Sequence, residues 1–144
     1  MARIKLELPE AFAFETLYKI RIQDINYGNH LGNDAVLSIM HEARLSYLKS
    51  LGLKNELDLE GSIGLMVTDV AIVYKSEGFH GEELTIKVVG DDFNKYGFDL
   101  FYLLKKADGK ELARGKTGMI CYDYEAKKLA HIPPKFEELL KQGI

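Results

Sequence analysis

The chain is predicted to fold as an α+β domain, an antiparallel sheet packed against one long helix, and three features of its sequence predict this. A single half-buried strand precedes the only extended helical pattern. Four strand-like segments then follow without a helix between them. The breaks between those segments are short and rich in glycine or charge, which forces neighbouring strands into antiparallel pairing.

The first strand is Phe14 to Ile22. Phe14, Tyr18, Ile20 and Ile22 are expected on one face, with Glu15, Lys19 and Arg21 on the other, the period-2 signature of a half-buried strand. Gln23 to Asn33 carries too much Gly and Asn for a regular element and reads as a structured loop. A helix is expected from Asp34 to Leu51, with Leu37, Met40, Tyr47, Leu48 and Leu51 at helical spacing and Val36, Ile39 and Ala43 widening the apolar face. Asn33 or Asp34 is placed to cap its start and Gly52 its end. So broad a stripe points to a helix buried against a curved sheet.

The four later strands are placed at Ile63–Tyr74, Glu83–Asp91, Tyr96–Lys106 and Glu111–Tyr124. Tyr96, Phe98, Leu100, Tyr102 and Leu104 alternate most cleanly. Asp108-Gly109 between two apolar runs is a hairpin signal. Pro133-Pro134 interrupts the pattern, and Lys135 to Lys141 is expected to form a short C-terminal helix. The 144 residues carry no internal repeat or linker, so one domain is expected over 1–144.

Composition narrows the function. A net charge of −3 disfavours non-specific nucleic-acid binding. No apolar run approaches the roughly 20 residues of a membrane span, and Met1 to Pro9 lacks the apolar core of a secretory signal. The lone Cys121, in an apolar run, excludes a disulfide framework and reads as a buried structural thiol. A cytoplasmic location is expected. His41 and His80 lack partners at ligand spacing, and a His/Asp pair alone does not make a metal site, so no metal is expected. Ser38 and Ser46 lack the Gly-x-Ser-x-Gly setting of a hydrolase nucleophile.

Asp24 is the principal chemical candidate. It ends a strand and opens a loop running into a helix N-terminus, whose first turn leaves N–H groups unsatisfied and partly positive. Such a turn polarises a carbonyl as an oxyanion hole does, and a nearby carboxylate attacks that carbonyl or activates a water against it. On the residues alone, a turn-forming or capping role for Asp24 stays open.

The run from Arg21 to Asn33, with His41-Glu42-Ala43-Arg44 and Leu51-Gly52-Leu53, resembles the signature of the hotdog-fold thioesterases, closest to the 4-hydroxybenzoyl-CoA and long-chain acyl-CoA thioesterase groups. The likeness extends more loosely from Phe14 to Phe136, through Tyr74, Gly81-Glu82-Glu83-Leu84, Asp108-Gly109, Ala113-Arg114-Gly115 and Pro133-Pro134-Lys135-Phe136. Only the block from Asp24 to Arg44 is specific. The resemblance implies a five-stranded antiparallel sheet wrapped around one long central helix, and an acyl-CoA thioesterase releasing free acid and CoA. Coenzyme A would be part of the substrate, with no separate cofactor, and the molecule would be a homodimer or homotetramer joined through Ile63–Tyr74.

It also implies Asp24 as nucleophile or general base. The N–H of Leu31 or Gly32 would polarise the thioester carbonyl, and His30 and Asn33 would line the site. Glu42 is the reserve catalytic carboxylate. The sequence departs from the pattern at Asn26, where relatives often carry a second Asp, and at Gly32-Asn33-Asp34, where many carry two consecutive Asn. Lys87, Lys95, Lys105, Lys106 and Lys116 are candidates for contacts to the CoA phosphates. Two rival readings are an enoyl-thioester hydratase or dehydratase on the same fold, which Asp24, Asn26 and His30 evoke, and a non-catalytic acyl-thioester binding protein.

Overall fold

A computed structural model of the chain describes residues 1–142. Strand β1 (Phe14–Lys19) leads through a 3-10 turn (Ile22–Asp24) and a loop into helix α1 (Asn33–Ser50). Strands β2 (Ile63–Tyr74), β3 (Glu83–Asp91), β4 (Gly97–Lys106) and β5 (Glu111–Asp123) follow, then a two-residue strand β6 (Lys128–Leu129) and helix α2 (Pro134–Lys141). The main strands lie in the order β1-β3-β4-β5-β2, all antiparallel, and β6 pairs with β5. The sheet thus has six strands, not the expected five, because the chain doubles back briefly after β5.

The inward faces alternate as expected. Phe98, Leu100, Tyr102 and Leu104 of β4 are buried, as are Leu84, Ile86 and Val88 of β3. They form one cluster with Val36, Ile39, Met40, Ala43, Tyr47 and Leu48 of α1, so helix and sheet share a core. Phe14 stacks on Tyr47 at 5.2 Å, which ties β1 to the helix. From α2, Phe136 and Leu140 close one end of this core.

The first strand is shorter than expected. It stops at Lys19, and Ile22 is 67% exposed instead of inward. The 3-10 turn at Ile22–Asp24 breaks the period of two, so Ile22 leaves the inward face while Ile20 keeps it. At the start of α1 the cap is Gly32, and no side chain caps it, neither Asn33 nor Asp34. At its end Gly52, at φ 90°, donates to Lys49 O while Leu53 donates to Leu48 O. This paired arrangement needs a residue in the left-handed region, which glycine adopts without strain. Cys121 is buried as expected, and burial pushes its thiol up to about 11.

Candidate active site

The segment that carries Asp24 is built by local hydrogen bonds. The 3-10 turn ends at Asp24, and Ile25 pairs with Leu31 as an isolated antiparallel bridge. Between them Asn26 N–H donates to His30 O and Asn29 N–H donates to Asn26 O. Asn29 sits at φ 65°, a left-handed conformation that asparagine tolerates better than most residues. The Asn26 side chain accepts from Gly28 N–H at 2.9 Å. The Gly- and Asn-rich stretch is thus a tight three-residue hairpin loop that returns the chain to Gly32 and the start of α1.

Asp24 is half-buried. Its Oδ2 accepts from the Tyr18 hydroxyl at 2.7 Å and from Arg21 N–H at 2.9 Å. Its Oδ1 has no partner among the described residues. Two donors on one oxygen fix the carboxylate plane and leave the other oxygen available. Burial, then the hydrogen bond and charge of Asp24, push the Tyr18 phenol up to about 12, so Tyr18 stays a donor throughout the physiological range. Tyr18 was not singled out as a site residue from sequence. Its inward place on β1, six residues before Asp24, was the available signal.

A cleft of about 490 Å³ opens on Asp24 and is lined also by Tyr18, Arg21, Asn26, Asp34, Ser38 and Glu42. Glu42 is exposed on α1 and makes no ion pair among the described residues, so the two candidate carboxylates face one space. His30, Leu31 and Asn33 lie elsewhere. With Tyr27, Val36, Tyr74, Glu77 and Leu112 they line a second cleft of about 670 Å³. Asn26 and Asp34 line both clefts and form the partition between them. The His30 ring donates from Nδ1 to Leu31 O at 3.2 Å, which orients Nε2 as the free ring nitrogen.

The N–H groups expected to polarise a carbonyl are engaged. Leu31 N–H donates to Gly78 O at 2.7 Å, and Gly32 N–H donates to Asp24 O at 2.9 Å. The return of the hairpin uses up Gly32 N–H, and the connection between β2 and β3 uses up Leu31 N–H. The unengaged donors come one residue later: among the described residues, the N–H groups of Asn33 and Asp34 have no acceptor. Both belong to the first turn of α1, where an uncapped helix carries partial positive charge. Asp34 also faces the cleft of Asp24, so a carbonyl seated there meets a carboxylate and a helix N-terminus together.

Of the candidate lysines, Lys106 comes nearest, its Nζ donating to the backbone carbonyl of Glu77 beside the second cleft at 2.9 Å. Lys116 pairs with Asp69 and Asp99, Lys87 with Glu15 and Lys106 with Glu82. Among the described residues no lysine lines either cleft. Asp69, unusual within a strand, follows a break of register between Val67 and Asp69, and the Lys116 ammonium holds its carboxyl below the usual range. His41 and Arg44 both reach Glu56, at 2.8 and 3.1 Å. No helix among the described residues is long and apolar enough to cross a membrane.

Comparison with known proteins adds the family. The model of the thioesterase-like superfamily matches residues 20–140. A search of curated proteins finds no significant match. Among solved structures, a 1,4-dihydroxy-2-naphthoyl-CoA thioesterase from Synechocystis superposes with a TM-score of 0.80 at 20% identity, over 90% of this chain and 96% of that one. A protein from Staphylococcus aureus in complex with CoA gives 0.79 at 18% identity, over 94% and 85% of the two chains. A gentisyl-coenzyme A thioesterase gives 0.78 at 15% identity, over 88% and 99%. These identities speak for the fold, and the family match speaks for the enzyme class. The chain therefore belongs to the thioesterase-like superfamily, and its class is the thioester hydrolase expected from its sequence.

Proposed function

We propose that this protein hydrolyses an acyl-coenzyme A thioester to the free acid and CoA, with Asp24 as the catalytic carboxylate. The observation that carries the reading is the Asp24 carboxylate itself. It is held through Oδ2, free at Oδ1, and opens on the same cleft as the uncapped first turn of α1. The chemistry follows from that pairing. The thioester carbonyl oxygen accepts from the N–H of Asp34, in place of the engaged ones of Leu31 and Gly32. Donors preorganised for the developing oxyanion are worth more there than in water. Asp24 then takes the proton of a water that attacks the carbonyl carbon, or attacks that carbon itself and is freed by water in a second step. The C–S bond breaks, the thiolate of CoA leaves and takes up a proton, and the acyl group departs as its acid. CoA enters as part of the substrate, and no other cofactor is invoked. The solved neighbours named for acyl-CoA substrates, and the one holding CoA, support this substrate class.

The active unit in this reading is a homo-oligomer, at least a dimer. Among the described residues β5 is the one strand that β2 pairs with, so β2 forms an edge of the sheet, with every residue from Met66 to Val70 exposed. An edge carrying Val67, Val70 and Tyr74 in the open is a template for a second copy. The buried, lone thiol of Cys121 suits a reducing cytosol.

The test is a panel of acyl-CoAs with purified protein, scored together for free thiol and for enoyl absorbance. Thiol release with no change in enoyl absorbance is the expected outcome. Interconversion of enoyl and hydroxyacyl thioesters without thiol release would make the protein a hydratase. Binding without turnover of any member would make it an acyl-thioester binding protein.

A further inference from the structure

We infer that the two clefts exclude acyl groups bearing a negative charge, with Asp34 as the residue that sets this selectivity and Glu77 as its support. The inference rests on the acyl-CoA reading above and specifies the substrate class of that site. Asp34 lines both clefts, so an acyl group entering either one passes its carboxylate. The carboxylate has no compensating partner: among the described residues Asp34 makes no ion pair, and its side chain accepts no hydrogen bond. In the second cleft Glu77 adds another carboxylate, without an ion pair among the described residues; neither lysine nor arginine lines the cleft, and Lys106, whose Nζ donates to the Glu77 backbone carbonyl at 2.9 Å, is paired with Glu82. In the first cleft Asp24 and Glu42 accompany Asp34, against the single Arg21. The other polar groups of the second cleft, among them Tyr27, His30, Asn33, Tyr74 and Ser76, suit a neutral acyl chain or ring beside Leu31, Val36 and Leu112.

The side chain of Asp34 turns back toward the backbone. A Cβ placed on Gly32 would lie 2.7 Å from its Oδ1, so the charge stands over the helix start. Asp34 is exposed, and salt screens it beyond about 8 Å at physiological strength. The discrimination is therefore confined to groups brought into contact with it. A like charge at contact distance costs on the order of tenfold in affinity.

The experiment uses two hydrolysis-resistant ketone analogues in which a methylene separates the sulfur of CoA from the carbonyl. One carries the four-carbon butyryl chain, and the other the succinyl chain of equal length ending in a carboxylate. Dissociation constants are measured by calorimetry for the native protein, Asp34→Asn and Glu77→Gln. Because each protein supplies its own neutral-to-anionic ratio, a general loss of binding cancels. The native ratio is expected to favour the butyryl analogue by about tenfold or more. Asp34→Asn should bring the ratio to about threefold or less, and Glu77→Gln should lower it by a smaller factor. Equal affinities in the native protein would overturn the inference, as would a ratio untouched by both substitutions, or no binding of either analogue. Turnover of butyryl-CoA itself is measured alongside. A retained ratio without turnover removes the hydrolase reading and keeps the charge selectivity. Turnover with equal affinities does the reverse.

Discussion

At the residue scale, Tyr18 and Asp24 show what the sequence did and did not reveal. Asp24 was legible because its place between a strand and a helix start is chemically suggestive and matches a known motif. Its partner was not, because the contact spans the 3-10 turn, and a turn that breaks the strand period cannot be read from alternation alone. The same limit explains the N–H groups. A helix start was expected to offer Leu31 or Gly32, but both are engaged by backbone carbonyls, Gly32 by Asp24 and Leu31 by the distant Gly78, contacts that residue types do not encode. The Tyr18 hydrogen bond has a measurable consequence. Hydrogen bonds to charged groups contribute about 1.5–3 kcal/mol, so loss of the donor should misplace the carboxylate. Tyr18→Phe is expected to lower kcat about tenfold with little change in KM, and to lower the melting temperature by about 5–10 °C. Unchanged kcat would show that Arg21 N–H alone orients Asp24.

At the element scale, α1 was the most legible part of the chain. Its expected bounds, Asp34 to Leu51, are each one residue from the observed Asn33–Ser50, and its glycine stop is where expected. Periodicity failed on individual positions: Leu37 is 42% exposed, whereas Arg44 is only 4% exposed. Arg44 is buried because it finds partners there. It donates to Glu56 at 3.1 Å and to the Tyr102 hydroxyl at 3.1 Å, and Tyr102 shares a hydrogen bond with Thr117. A motif of Glu-Ala-Arg thus joins the middle of the helix to the segment before β2 and to the centre of the sheet. Removing one partner of such a pair leaves the other uncompensated, at about 3–5 kcal/mol when fully buried. Glu56 keeps some contact with water and with His41, so Arg44→Ala is expected to cost less, about 2–3 kcal/mol by urea denaturation. A cost under about 1 kcal/mol would mean that the pair adds little beyond packing.

At the scale of the whole molecule, the antiparallel α+β architecture was legible from the order of the strands, and β2 and β3 fall on their expected bounds. What the strand pattern did not contain was the separation of the site into two clefts, because Asn26 and Asp34 are brought to one partition only by the return of the hairpin loop. The free edge of β2 bears on assembly. A dimer or larger is expected by sedimentation at micromolar concentration, and Val70→Lys, which charges the exposed edge, should shift it toward monomer. A native protein that is monomeric and fully active would refute the oligomeric reading.

Alkaline behaviour is a second property of the whole fold. Tyr18 and Tyr47 are both pushed up from 10.0 to about 12, Tyr18 by burial and by Asp24, Tyr47 by burial. The folded state therefore favours their neutral forms. That stabilisation is complete below pH 10 and is lost as pH rises from 10 through 12. Phenolate absorbance should show that part of the eight tyrosines titrates well above 10, with stability falling over the same window. A single titration near 10 in the folded protein would contradict it.

The most direct test of the account is the turnover of Asp24→Asn beside Glu42→Gln, two carboxylates facing one cleft. Both variants keep side-chain size and remove one charge. Asp24→Asn is expected to lower kcat for acyl-CoA hydrolysis by roughly 10²-fold or more, the scale of a lost general base, with substrate binding little changed. Glu42→Gln should retain most of the native kcat. Near-native turnover in Asp24→Asn together with its loss in Glu42→Gln would contradict the account and make the helix carboxylate the catalyst.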